Sequence, residues 1–145
     1  MNVDLGVFGE VELDGDVTLL LDGGTHGCIG HTLAVRPDGF VRWERRLDSM
    51  GDQSECSGAG ERVLAPAEQA EWELLVASLW TATVPEPHAA GIPQVPRYMW
   101  ALAMRRGDEV HVLTGPPFAD AFAPQPPEVR EAFAWMAEHV KAWCA

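Results

Sequence analysis

The chain has 145 residues, 47% of them hydrophobic and 22% charged, a balance that supplies a folded core and excludes global disorder. Against 22 acidic side chains stand 10 basic ones, a net charge of −12, which excludes nucleic acid and anionic membrane as main partners because phosphates need Lys and Arg to neutralise them. The length is that of one domain, so residues 1–145 are expected to form a single one.

The start, Met1-Asn2-Val3-Asp4, has neither the positive charge nor the apolar run of a signal peptide. The longest uncharged apolar stretch, residues 74–84, is too short to span a bilayer. Cys28, Cys56 and Cys144 show no CxxC spacing, and a cytoplasmic protein with reduced thiols is the expectation.

Period-two alternation opens the fold. Val3, Leu5, Val7, Val11 and Leu13 oppose Asp4, Glu10 and Glu12, the pattern of one half-buried strand bent at Gly9. Asp14-Gly15-Asp16 supplies the positive-φ positions of a hairpin turn, and residues 17–21 form the second strand. Asp22-Gly23-Gly24-Thr25-His26-Gly27 is a glycine-rich turn able to bring backbone amides close to a partner. Strands over 29–36 and 40–47 follow, joined by Pro37-Asp38-Gly39. In the second of them Val41, Trp43 and Leu47 turn inward, and Arg42, Glu44 and Arg46 face water.

Residues 48–60, rich in Ser, Gly and Asp, read as a mobile loop. Pro66, Glu68 and Glu71 open a helix whose stripe Trp72, Leu75, Val76 and Leu79 recurs at i, i+3, i+4, i+7. The helix is expected to end between residues 80 and 83. A proline-rich connection over 84–96 forms a second mobile loop. Residues 97–106 place Tyr98, Trp100, Leu102 and Met104 on one face and Met99, Ala101 and Ala103 on the other. Apolar on both faces, this strand belongs at the centre of a sheet. Gly107-Asp108 returns it as 109–114, and the third mobile loop, 115–127, carries Phe118 and Phe122. The last helix, 127–143, presents Val129, Phe133, Met136, Ala137 and Val140, leaving Trp135 and Trp143 off the stripe as candidates, with Phe118 and Phe122, for an exposed aromatic patch, unless the two Phe pin their loop to the core. The order is ββββ-α-ββ-α. It predicts a two-layer α+β sandwich, an antiparallel sheet of about six strands with two helices packed on one face.

Reactive side chains are densest in His26-Gly27-Cys28-Ile29-Gly30-His31. Two readings stand beside that of an ordinary turn entering a strand. His26, Cys28 and His31 could ligate zinc, with Cys56, His111 or Cys144 completing the set, although the spacing matches no zinc motif. Alternatively, Cys28 is a nucleophile activated by His26 or His31, a small thiol- or metal-dependent enzyme. No GxSxG or EF-hand spacing occurs, and the carboxylate pairs Glu10/Glu12, Asp14/Asp16 and Glu71/Glu73 are solvating charge. No Lys or Arg precedes Arg36, whereas Asp4, Glu10, Glu12, Asp14, Asp16 and Asp22 do. Such a surface would steer a basic partner.

The segments 17–24, 66–80, 98–106, 110–114 and 129–140, taken together, resemble the emfourin-type protein inhibitors of thermolysin-like metalloproteases. The shared pattern is a strand running into Gly23-Gly24, a helix begun by proline and acids, a strand opened by Tyr98, a hairpin and a closing helix. It differs in an added N-terminal strand, in the strand over 40–47, and in His26-Gly27-Cys28, where that family's turn carries an aromatic residue. Residues 28–43 are also similar to an uncharacterised bacterial hairpin domain with a Cys-aromatic-Gly-x-Cys-Pro turn, here without the second Cys and the Pro. The inhibitor resemblance implies a non-enzymatic protein-binding module that occludes a cleft. Its contact residues would be Gly23, Gly24, Thr25, His26 and Gly27, with Phe118 and Phe122 from the proline-rich loop, and its partner a metalloprotease. It would need neither cofactor nor metal. A structural subunit of a larger assembly is the remaining alternative.

Overall fold

Local hydrogen bonding divides the N-terminal alternation in two. In the computed structural model, which describes residues 1–23, 29–47, 55–83, 99–115 and 125–145, β1 (Asn2–Asp4) and β2 (Glu10–Glu12) pair antiparallel around a 3-10 turn, Gly6–Phe8. Gly6 and Gly9 take φ of 62° and 79°, and Asp4 Oδ1 accepts the Gly6 N–H at 2.9 Å. The single bent strand expected here is therefore a small hairpin with Val3 opposite Val11. Asp14-Gly15 does turn the chain, with Gly15 at φ 86°. It does not close a hairpin, because β2 and the next strand belong to different sheets.

The main sheet is antiparallel throughout, in the order β6-β5-β4-β3-β7-β8. Its strands are β3 (Val17–Asp22), β4 (Ile29–Val35), β5 (Phe40–Leu47), β6 (Gly58–Val63), β7 (Trp100–Arg106) and β8 (Glu109–Gly115). The helices are α1 (Pro66–Leu79) and α2 (Pro127–Cys144). The α+β class, the antiparallel six-stranded sheet and the order of elements agree with the sequence reading. β6 is an addition, taking Gly58, Ala59 and Gly60 out of the segment read as loop. Gly60 has a packing reason: a Cβ there would stand 2.9 Å from the Trp43 ring, which lies across the strand.

Two hydrophobic clusters lie on the two faces of the sheet. Leu20, Leu33, Val35, Val41, Trp100, Leu102 and Met104 meet Trp72 and Leu79 of α1 and Val129, Phe133, Met136 and Val140 of α2. Leu19, Ala101 and Ala103, on the reverse face, pack with Val3, Leu5 and Leu13. A partial third layer thus covers the side that a two-layer sandwich would leave to water. β7 is interior and apolar on both faces, as its sequence requires.

At the start of α1, Glu68 Oε1 accepts the Ala65 N–H at 2.8 Å, half of a capping box, since Ala65 has no side-chain oxygen to return the bond. α2 buries more than its expected stripe. Trp135 is 8% exposed, 5.0 Å ring to ring from Trp72, and its indole N–H donates to Glu71 Oε2 at 3.0 Å. Trp143 stands edge-on to it at 6.2 Å. The exposed patch predicted around Trp135 is instead helix-to-helix packing, because Trp72 and Glu71 on α1 give both the ring and the N–H a partner.

Candidate functional site

Antiparallel register carries polar residues of neighbouring strands into one transverse row. Arg45 of β5 pairs with His31 of β4, His31 with Asp22 of β3, and Asp22 with Trp100 of β7. Alternation places this row on the helix-facing side, in line with Leu20, Leu33, Trp43 and Leu102. It lies at the end of the sheet where β3, β5 and β8 finish and β4, β6 and β7 begin. Burial is nearly complete: Asp22 and His31 are each 1% exposed and Arg45 is 4% exposed.

His31 Nδ1 lies 3.3 Å from Asp22 Oδ2, a carboxylate that orients the imidazole. Arg45 reaches the other way, donating from Nη1 to the Cys56 carbonyl at 2.7 Å and to Cys56 Sγ at 3.3 Å. Both its terminal nitrogens meet Glu55 Oε2 at 3.3 Å. Glu55 Oε1 is in turn 3.9 Å from Lys141 Nζ on α2. The buried charge of Arg45 is thereby neutralised by Glu55, as desolvation demands. Residue type alone does not distinguish Arg45 from the arginines beside it. Its position one residue inside Glu44 and Arg46, on the Val41–Trp43 face, was the available signal.

Of the residues singled out as sites, Gly23 and His31 are described. Gly23 donates its N–H to the Met99 carbonyl at 2.9 Å, anchoring the base of the turn to the segment entering β7. Gly24, Thr25, His26, Gly27 and Cys28, and likewise Phe118 and Phe122, lie outside the described residues, as do Tyr98 and most of the three loop segments. Among the described residues no group of three or more His, Cys, Asp or Glu is placed to hold a metal ion. His111, considered as a zinc ligand, lies at the opposite end of the sheet, opposite Met104, with Nε2 3.0 Å from the Ala82 carbonyl and its ring stacked on Trp80. It is not brought to His31.

That opposite end carries an open cleft of about 380 Å³ between α1 and the strand ends, within the size range of ligand sites. Trp72, Val76, Ala77 and Trp80 form its helical wall, and Val17 and Val35 contribute from the sheet. Arg36 follows β4, while Arg105 and Arg106 close β7, and all three residues contribute to the lining, with the Arg36 guanidinium 5.6 Å over the Phe40 ring. Arg105 donates to the Leu13 carbonyl at 2.6 Å and to the Gly107 carbonyl at 3.0 Å, which fixes its fork. Arg106 lies over the Trp80 ring at 5.0 Å, a cation–π contact that leaves the edge of the guanidinium free to donate. Asp16 Oδ1 is engaged by the Gly107 N–H at 2.8 Å, and Glu73 Oε1 by Gln69 Nε2 at 3.1 Å.

Ion pairing separates these arginines from most others. Arg42, Arg45, Arg46 and Arg62 each have a carboxylate partner, at 3.1 Å, 3.3 Å, 3.1 Å and 3.4 Å. Among the described residues Arg36, Arg105 and Arg106 have none, and the exposed Arg130 of α2 shares that state. Compared with protein-family models and with curated protein sequences, the chain matches none.

Proposed function

We propose that the protein is a non-enzymatic binding module that captures a short acidic segment of another protein in the cleft between α1 and the Arg36 end of the sheet. The observation that carries this reading is the cleft that Arg36, Arg105 and Arg106 line beside Trp72, Val76 and Trp80, the three arginines having no ion-pair carboxylate among the described residues, in a chain of net charge −12. Guanidinium forks donate two hydrogen bonds at a time to a carboxylate. Trp72, Val76 and Trp80 offer an apolar wall to a neighbouring aliphatic or aromatic side chain of the ligand. The acidic first strands favour a partner whose wider surface is basic, so long-range attraction and short-range recognition use different parts of that partner. The cytoplasm is the compartment that fits reduced thiols. No described helix is long and apolar enough to cross a membrane.

The experiment is a titration of Trp fluorescence with an acetylated peptide alternating glutamate and leucine, beside its lysine–leucine counterpart. Saturable binding of the acidic peptide alone, weakened about tenfold by Arg106→Gln as expected for one charge-assisted hydrogen bond, supports the reading. Equal response to both peptides, or indifference to Arg36→Gln and Arg106→Gln, defeats it. The metalloprotease-inhibitor reading puts contact at the Gly23–Gly27 turn instead. One-to-one inhibition of thermolysin that survives both substitutions would move the binding surface to that end.

A further inference from the structure

Beside the buried row, two thiols from distant parts of the chain come together. Cys56 Sγ donates to the Lys141 carbonyl at 3.8 Å, and Lys141 stands one helical turn before Cys144 on α2. Cys144, three residues beyond Lys141, is thereby brought beside Cys56, and both are free thiols, half-buried. The guanidinium of Arg45, held by Glu55 and by the Cys56 carbonyl, donates to Cys56 Sγ at 3.3 Å. A fixed cation therefore faces the sulfur on which negative charge develops during exchange. The Cys144 thiol is pushed up to about 11 by burial and then by its contact with Cys56, so it rests protonated.

We infer that Cys56 and Cys144 form a dithiol modification site whose substrate is a low-molecular-weight disulfide of the glutathione class, and that its product is an intramolecular disulfide joining the entry of β6 to the end of α2. Cys56, as thiolate, attacks one sulfur of the small disulfide. A new S–S bond forms, the old one breaks, and the departing thiolate takes up the proton that Cys56 gave up. Cys144 then attacks the Cys56 sulfur, releasing the second small thiol with the remaining proton. Two electrons pass from the protein to the small disulfide, which leaves as two thiols.

Closing the bridge ties α2 across the Arg45–His31–Asp22 row. It constrains the unfolded chain through a long loop, so the oxidised protein melts about 5–15 °C higher than the reduced one. The test incubates the full chain in glutathione buffers of graded potential, followed by alkylation, peptide mass analysis and thermal melting. Expected are a loss of two hydrogens, a cross-linked peptide containing Cys56 and Cys144, an alkylated Cys28, and the rise in melting temperature. Under the same conditions Cys144→Ser should stop at a stable glutathione adduct on Cys56, and Cys28→Ser should leave the bridge intact. Two glutathione adducts without a bridge, a bridge to Cys28, or thiols still reduced in a fully oxidised buffer would each overturn the assignment.

Discussion

The two ends of the main sheet solve the problem of polar residues in opposite ways. At the Asp22 end, polar groups are carried inward and partnered by protein groups: Asp22 with His31, and Arg45 with Glu55 and the Cys56 carbonyl. At the Arg36 end, strands finish in tight turns, and three arginines line an open cleft without an ion-pair carboxylate among the described residues. A charge already satisfied inside the fold contributes to structure, whereas one held rigidly and left to solvent is available to a ligand.

The comparison breaks first if the buried end tolerates substitution. Asp22→Ala leaves the imidazole of His31 without its carboxylate at a site 1% exposed and should cost about 3–5 kcal/mol, read from the urea midpoint at unchanged slope. A loss below 1 kcal/mol would show that the dyad is not a satisfied buried pair. Glu55→Gln keeps the shape and removes the charge opposing Arg45, with an expected loss of about 1.5–3 kcal/mol, smaller because Glu55 is 29% exposed. The same measurement on the double variant Arg36→Gln/Arg106→Gln should move stability by less than about 0.5 kcal/mol, while acidic-peptide binding falls. If instead this pair unfolds the protein, the cleft is part of the scaffold rather than a binding surface.

The smallest expected effect sharpens the Asp22 end. Cys144 ionises at about 11, above its usual 9.0, because burial and Cys56 favour the neutral thiol. Below pH 9 folded and unfolded chains both keep this proton, so it has no influence on stability. Between pH 9 and 11 the unfolded chain releases it first, and stability falls as pH rises. Replacing Cys144 with Ser should flatten that alkaline slope slightly without altering stability at pH 7, as followed by urea denaturation at stepped pH.

Where side-chain periodicity acted alone, the sequence was readable. The alternation in 40–47 and in β7, and the Trp72–Leu79 stripe behind Pro66, gave those elements because each is a local pattern with one way to bury itself. β6 escaped because Gly58-Ala59-Gly60 has almost no strand propensity. Those residues pair with β5 because small residues make room for the Trp43 ring. Trp135 was misplaced for a related reason. A stripe drawn on one helix cannot see that Trp72 and Glu71 wait on another. Of the candidate sites, the glycine turn and His31 could be named from residue type, but the burial of His31 could not.

Length, composition and periodicity by themselves determined an α+β chain with an antiparallel sheet, two helices on one face and a central strand apolar on both sides. Those are consequences of local geometry, since side chains alternate along a strand and recur every three to four positions on a helix. Only the tertiary structure decided what covers the second face, which arginines are paired, and that Cys56 meets Cys144. Each of these joins residues far apart in the chain, brought together by strand register and layer packing, and no local pattern records such a meeting.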